Sequence, residues 1–64
     1  MISNSISPRE QEIVNLICDG LTTKEIANKL HISPHTVDSH KKNLMNKVGA
    51  KNTVQMVYKT LKSF

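Results

Sequence analysis

Apolar residues recur along this chain at spacings of three and four in four stretches, each closed off by a polar or glycine break. In the first stretch Ile13, Val14, Ile17 and Leu21 line one side of a helix. Its start is marked by Ser7-Pro8-Arg9-Glu10. Ser7 can cap, Pro8 sits where a missing N–H costs nothing, and Glu10 completes a capping box. Gly20 supplies the left-handed backbone that ends the run, so helix 1 is predicted over about residues 8–19. Helix 2, over 23–30, opens with Thr22 as cap and Glu25 as its reciprocal partner, and turns Ile26, Ala27 and Leu30 inward. The small Ala27 allows two crossing helices to approach closely. His31-Ile32-Ser33 makes a tight break with Ile32 as its plug. Ser33-Pro34 then repeats the cap-plus-proline start, and the proline stops helix 2 from running on into helix 3.

Helix 3 is predicted over 34–48 and stops at Gly49. At about 100° per residue, Val37, Leu44 and Val48 fall together as a core stripe flanked by His40 and Lys41. The opposite face collects His35, Ser39, Lys42 and Asn46, with Asp38 and Asn43 on its borders. Each of these side chains can donate or accept a hydrogen bond, as reading base edges requires. Helix 4, over 53–62, begins after Asn52 with Gln55 three residues on. Val54, Val57, Tyr58 and Leu61 form its stripe, and Met56 and Phe64 add apolar surface beyond it. One stripe suffices to join the core, and the surplus suggests dimerisation. The pattern predicts an all-α domain, a four-helix bundle over residues 7–64 containing a helix–turn–helix. Residues 1–6 form a flexible polar segment or the remnant of a linker.

Length narrows the functions available. A chain of 64 residues buries only ~60% of its unfolded surface and has room for one core, not for a large substrate cavity. The single Cys18 permits no internal disulfide, which suits a reducing cytoplasm; beside the apolar stripe it reads as a small hydrophobe. No apolar run approaches the ~18 residues of a membrane span, and MISNSIS lacks the regions of a signal peptide. Tyr58 and Phe64 are the only aromatic residues, which disfavours base-stacking readers of single strands.

Net charge is a modest +4, but its placement is one-sided. Residues 39–64 carry Lys41, Lys42, Lys47, Lys51, Lys59 and Lys62 with no acid among them, which points to a polyanionic partner. A metal site is poorly supplied. The turn separates His31 from His35 and His40, which themselves diverge by about 140° on a helical wheel. No nucleophile–base set, phosphate loop or carboxylate pair is present, so neither catalysis nor a cofactor is expected.

These residues fit a known family. SPREQEIVNLICDGLTTKEIANKLHIS, HTVDSH and NKVGAKNT together resemble the LuxR-type helix–turn–helix domain, the output domain of many bacterial response regulators. Particular marks are Glu10, Gly20, Lys24-Glu25-Ile26-Ala27, Leu30, Ile32-Ser33, Thr36-Val37, His40, Lys47 and Gly49, in register over nearly the whole chain. The resemblance implies that helix 3 lies in the major groove with Asp38, Ser39 and Lys42 at base edges; the outer-face pattern adds His35 and Asn46 to that set. It implies phosphate contacts from the start of helix 3 and its surroundings, with Thr36, His40 and Lys51 as carriers, to which Thr23, Lys24, Ser33 and Lys41 are added. It implies a homodimer through helix 4, with Val54, Val57, Tyr58 and Leu61 at the interface, on half-sites ~34–36 Å apart. One departure is Asp38, where many members carry a basic residue. A carboxylate repels phosphate but can accept from cytosine N4.

The function expected is control of transcription in the bacterial cytoplasm, on double-stranded DNA. RNA polymerase and an N-terminal receiver or ligand-binding domain are the further partners such a role implies. The promoter-recognition domain of a sigma factor shares the layout but fits SPRE and KEIA less well. A helical protein-interaction module acting through helix 53–62 is the alternative from another class. It leaves the polar, basic face of helix 3 unexplained.

Overall fold

The computed structural model describes residues 6–62. Four helices follow one another: α1 (Pro8–Cys18), α2 (Thr23–Leu30), α3 (Pro34–Val48) and α4 (Thr53–Lys62). Met1 to Ser5 of the expected leader, and Phe64, lie outside the described residues. Ile6, the last residue of that leader, is half-buried against the core.

Local chemistry sets each helix boundary. Both expected capping boxes are formed. Ser7 Oγ accepts from the Glu10 N–H at 3.1 Å while Glu10 Oε1 accepts from the Ser7 N–H at 3.0 Å. Thr22 and Glu25 make the same reciprocal pair. Ser33 and Asn52 cap α3 and α4, accepting from the N–H groups of Thr36 and Gln55. At the other end of α1, Gly20 adopts φ 93°, and the Leu21 N–H reaches back to the Leu16 carbonyl at 3.1 Å. That six-to-one closure satisfies a carbonyl the helix would otherwise leave open. Gly49, at φ 72°, ends α3 in the same manner. The turn between α2 and α3 is built likewise but without a glycine. His31 itself takes the left-handed conformation at φ 59°, and the Ile32 N–H donates to the Ala27 carbonyl. Histidine tolerates this region better than branched residues do. The closure carries Ile32 onto the core, where it packs half-buried.

Two buried clusters hold the helices together. Ile13, Ile26, Ala27 and Val37 join α1, α2 and α3; Val14, Leu44 and Met56 join α1, α3 and α4. Adjacent residues of α1 thus serve different clusters, and α3 contributes one residue to each. Burial of side chains of this size stabilises the fold by ~1.5–3 kcal/mol apiece.

Three expectations require correction. The stripe of α4 that joins the core is Thr53, Met56, Val57 and Thr60, with Met56 and Thr60 fully buried. Val54, Tyr58 and Leu61, expected as its main stripe, are exposed at 79%, 60% and 53%. The buried stripe contains two threonines, which an apolar count passes over although their methyl groups pack. Cys18 is exposed rather than set against the apolar stripe, because α1 ends at that residue and neither cluster extends to it. Glu10 is more than the local cap its spacing predicts. Its residue is 4% exposed, and Lys47, 37 positions along the chain, donates to its Oε1 at 2.8 Å.

The Glu10–Lys47 pair ties the start of α1 to the last turn of α3. Burial by itself raises the Glu10 carboxyl, but hydrogen bonds from Lys47 and from the Ser7 backbone, with the Lys47 charge, outweigh it and hold the carboxyl below its ordinary value. A depressed carboxylate contributes stability above its unfolded-state value, and that contribution is lost as pH falls through the folded one. Glu10→Gln keeps an acceptor for the Ser7 cap while removing the charge. Because Lys47 retains access to water, the variant is expected to lose about 1–2 kcal/mol at pH 7 in urea unfolding, less than for a wholly buried pair. The deficit should shrink as pH falls through the depressed folded-state value of Glu10, where the native carboxylate also protonates. Equal stability at pH 7 would contradict this account of the pair.

Candidate nucleic-acid interface

The two faces of α3 have opposite fates. Val37 and Leu44 are 0% and 1% exposed, and Val48 is half-buried. His35, Asp38, Ser39, Lys42, Asn43 and Asn46 are all exposed. His35, Ser39, Lys42 and Asn46 follow one another at intervals of three and four, with Asp38 beside them on the border. They therefore form one stripe along roughly 16 Å of helix. A helix with its side chains is ~10–12 Å across, which matches a major groove ~12 Å wide. The five residues expected at base edges are thus on one accessible surface.

The residues expected at phosphates lie at the start and on the flanks of α3, in the first turn of α2 and on the α3–α4 loop. Ser33 is exposed and Thr36 half-buried at the start of α3, their hydroxyl oxygens 2.9 Å apart. Ser33 Oγ also accepts from the Thr36 N–H at 3.0 Å, so this first turn is held in one arrangement. Thr23 is half-buried and Lys24 exposed in the first turn of α2. His40 and Lys41 are half-buried on the flanks of α3, between its core stripe and its outer face. Lys51 is exposed on the α3–α4 loop. That loop is pinned at several points. The Ala50 N–H donates to Met45, the Lys51 N–H to Gln55 Oε1, and Lys59 Nζ to the Gly49 carbonyl at 2.9 Å.

The basic half of the chain is therefore less uniform than its charge count indicates. Lys47 is drawn inward to Glu10, Lys59 bonds the end of α3, and Lys62 lies 5.8 Å from the centre of the Tyr58 ring. Lys42 lies on the outer stripe, Lys41 on its flank and Lys51 on the loop after α3. These assignments of Lys47 and Lys59 were beyond sequence reading, since each joins groups with no local spacing rule between them. Glu10 and Lys47 are both marks of the family pattern, but nothing in that pattern states that they touch.

Other sites are thin. A shallow groove between α1 and α2 is lined by Glu12, Asn15, Leu16, Lys29 and Leu30 and includes no residue of α3. Among the described residues no three His, Cys, Asp or Glu side chains gather to hold a metal ion. No described helix is long and apolar enough to cross a membrane.

Comparison with known proteins agrees with this geometry. Residues 4–60 match the family described as bacterial regulatory proteins, luxR family. The chain is 41% identical over 59 residues to the uncharacterized response regulatory protein YgeK of Escherichia coli K12, covering 92% of this chain and 40% of that protein. It is 46% identical over 57 residues to the oxygen regulatory protein NreC of Staphylococcus aureus JH9, covering 89% of this chain and 26% of NreC. It thus spans less than half the length of these relatives. Among solved structures, that of the transcription factor GerE superposes with a TM-score of 0.87 at 33% identity, over 94% of this chain and 91% of that one.

Lys42 tests the outer stripe directly, because it is exposed and its loss should leave the fold intact. Lys42→Ala is expected to weaken binding to a duplex about tenfold in a fluorescence-anisotropy titration, with an unaltered circular dichroism spectrum. Unchanged affinity would argue against entry of this face into the groove.

Proposed function

The chain belongs to the luxR family of bacterial regulatory proteins and is a helix–turn–helix DNA-binding domain of transcription regulators, and from that premise we propose how it works. It lays the outer stripe of α3 in the major groove and reads sequence there with His35, Asp38, Ser39, Lys42 and Asn46. Thr23, Lys24, Ser33, Thr36, His40, Lys41 and Lys51 hold the backbone on either side through phosphate contacts, which supply salt-sensitive affinity. The observation that carries the reading is the division of α3 into a sealed face and an open one. A polar outer side is common to surface helices; here it belongs to the second helix of a helix–turn–helix, and its exposed side chains all donate or accept hydrogen bonds.

Two copies bind together on an inverted repeat. A single half-site buries only ~600–1,000 Å² of protein surface, which makes a lone domain a weak binder. The exposed Val54, Tyr58 and Leu61 supply an apolar surface for the second copy. Val57, half-buried against Met56, forms its inner edge. This surface equally favours a module for other proteins, and a second copy is preferred because it makes the α3 stripe bivalent. The relatives named above are longer regulatory proteins. By analogy, a receiver or ligand-binding domain supplies the regulating signal, and RNA polymerase is the further partner, in the cytoplasm.

The test is selection of bound duplexes from a random pool at moderate salt, with Val54→Glu run in parallel. Val54 is the cleaner choice because charge at Val57 would also disturb the core. The wild-type chain should enrich an inverted repeat, and Val54→Glu only single half-sites. A lone half-site with the wild type would remove the dimer. Salt-sensitive binding without any enriched sequence would remove the reading of bases. No binding would bring forward the protein-interaction module.

A further inference from the structure

Asp38 is out of place on a surface that meets phosphate. It is exposed on the border of the outer stripe, three residues after His35 and four before Lys42. It is also the only carboxylate side chain after Glu25. A negative charge there opposes association with a polyanion, so it lowers affinity for every sequence alike.

The structural uses that would explain an acid at this position are missing. No acid lies in the first turn of α3, and Asp38 is one residue past it, where the helix dipole has largely faded. The cap is Ser33, not Asp38. Lys41 and Lys42 stand at the spacings that pair with an acid on a helix. Yet the ion pairs among the described residues are Arg9–Glu12 and Lys47–Glu10, and Asp38 forms no hydrogen bond there either. Its carboxylate is exposed and uncommitted.

The chemistry of the groove then decides what this group can recognise. An ionised carboxylate only accepts hydrogen bonds. In the major groove guanine presents N7 and O6, both acceptors, and thymine presents the O4 acceptor beside a methyl group. Adenine offers the N6 donor but sets the N7 lone pair next to it. Cytosine alone offers its N4 donor with no acceptor alongside. We infer that Asp38 selects cytosine at one position of each half-site, acting largely by rejecting the other three bases; the inference rests on the proposed placement of α3 in the groove. Discrimination through repulsion explains why a residue that lowers general affinity stands on the reading face. Lys42, one helical turn on, is donor-only and complements guanine O6 and N7, so the two side chains have opposite demands.

Substitution by asparagine makes the test sharp. Asp38→Asn keeps the shape and one acceptor but adds a donor, the combination that fits adenine N6 and N7. Parallel selections from a random duplex pool with the wild type, Asp38→Asn and Asp38→Ala would be sequenced. Thermal melts would check that the variants fold, as an exposed side chain without partners should allow. The wild type should favour cytosine about tenfold at one position of the half-site. With Asp38→Asn the preference at that position should pass to adenine while the others stay as they were. Asp38→Ala should accept all four bases there. Identical base preferences for all three proteins, or a uniform change in affinity without a change at one position, would overturn the inference and leave the groove reading standing. A wild-type chain that enriches no sequence would overturn both.

Discussion

The structure depends on how α3 is gripped. Val37 and Leu44 lie seven residues apart on one stripe, and each is sealed into a different cluster. Val37 meets Ile13, Ile26 and Ala27, whereas Leu44 meets Val14 and Met56. A helix fixed at two points along the same side can neither roll nor tilt without opening one of them, and close-packed interiors resist that. The Glu10–Lys47 pair adds a third hold near the C-terminal end. The consequence is positional. The outer stripe of α3 is presented to solvent on a helix whose other side is fixed.

In the proposed reading, electrostatics divides the work between holding DNA and choosing among sequences. Lysines that a charge count assigns to one basic half have separate duties here. Lys47 serves the fold, Lys59 closes the end of α3, and Lys41, Lys42 and Lys51 remain around the stripe. Asp38 stands among them as a charge of the wrong sign for affinity, to which the proposed reading gives the work of discrimination. A modest net charge of +4 fits the proposed reading, in which two copies and base contacts supplement phosphate attraction.

Much of this was legible along the chain, because local rules governed it. Caps at Ser7, Thr22, Ser33 and Asn52, prolines at 8 and 34, and glycines at 20 and 49 bounded the helices closely. The two faces of α3 followed from periodicity. The misreadings share a cause, which is that burial is decided by neighbours distant in sequence. Thr53 and Thr60 looked polar but point into the core, which turned α4 round and left Val54, Tyr58 and Leu61 outside. Glu10 satisfied its local role as a cap so completely that its tie to Lys47 left no trace in the spacing. His31 in a left-handed turn was hidden too, since that conformation is usually advertised by glycine.

The claim that α3 enters the major groove is tested most directly by methylation interference on a bound duplex. Guanine N7 lies in the major groove and adenine N3 in the minor groove, so methyl groups at the two positions probe the two sides separately. The account predicts that methylation of guanine N7 within each half-site blocks binding while methylation of adenine N3 at the same step is tolerated. Interference from adenine N3 alone would place the protein in the minor groove and contradict it.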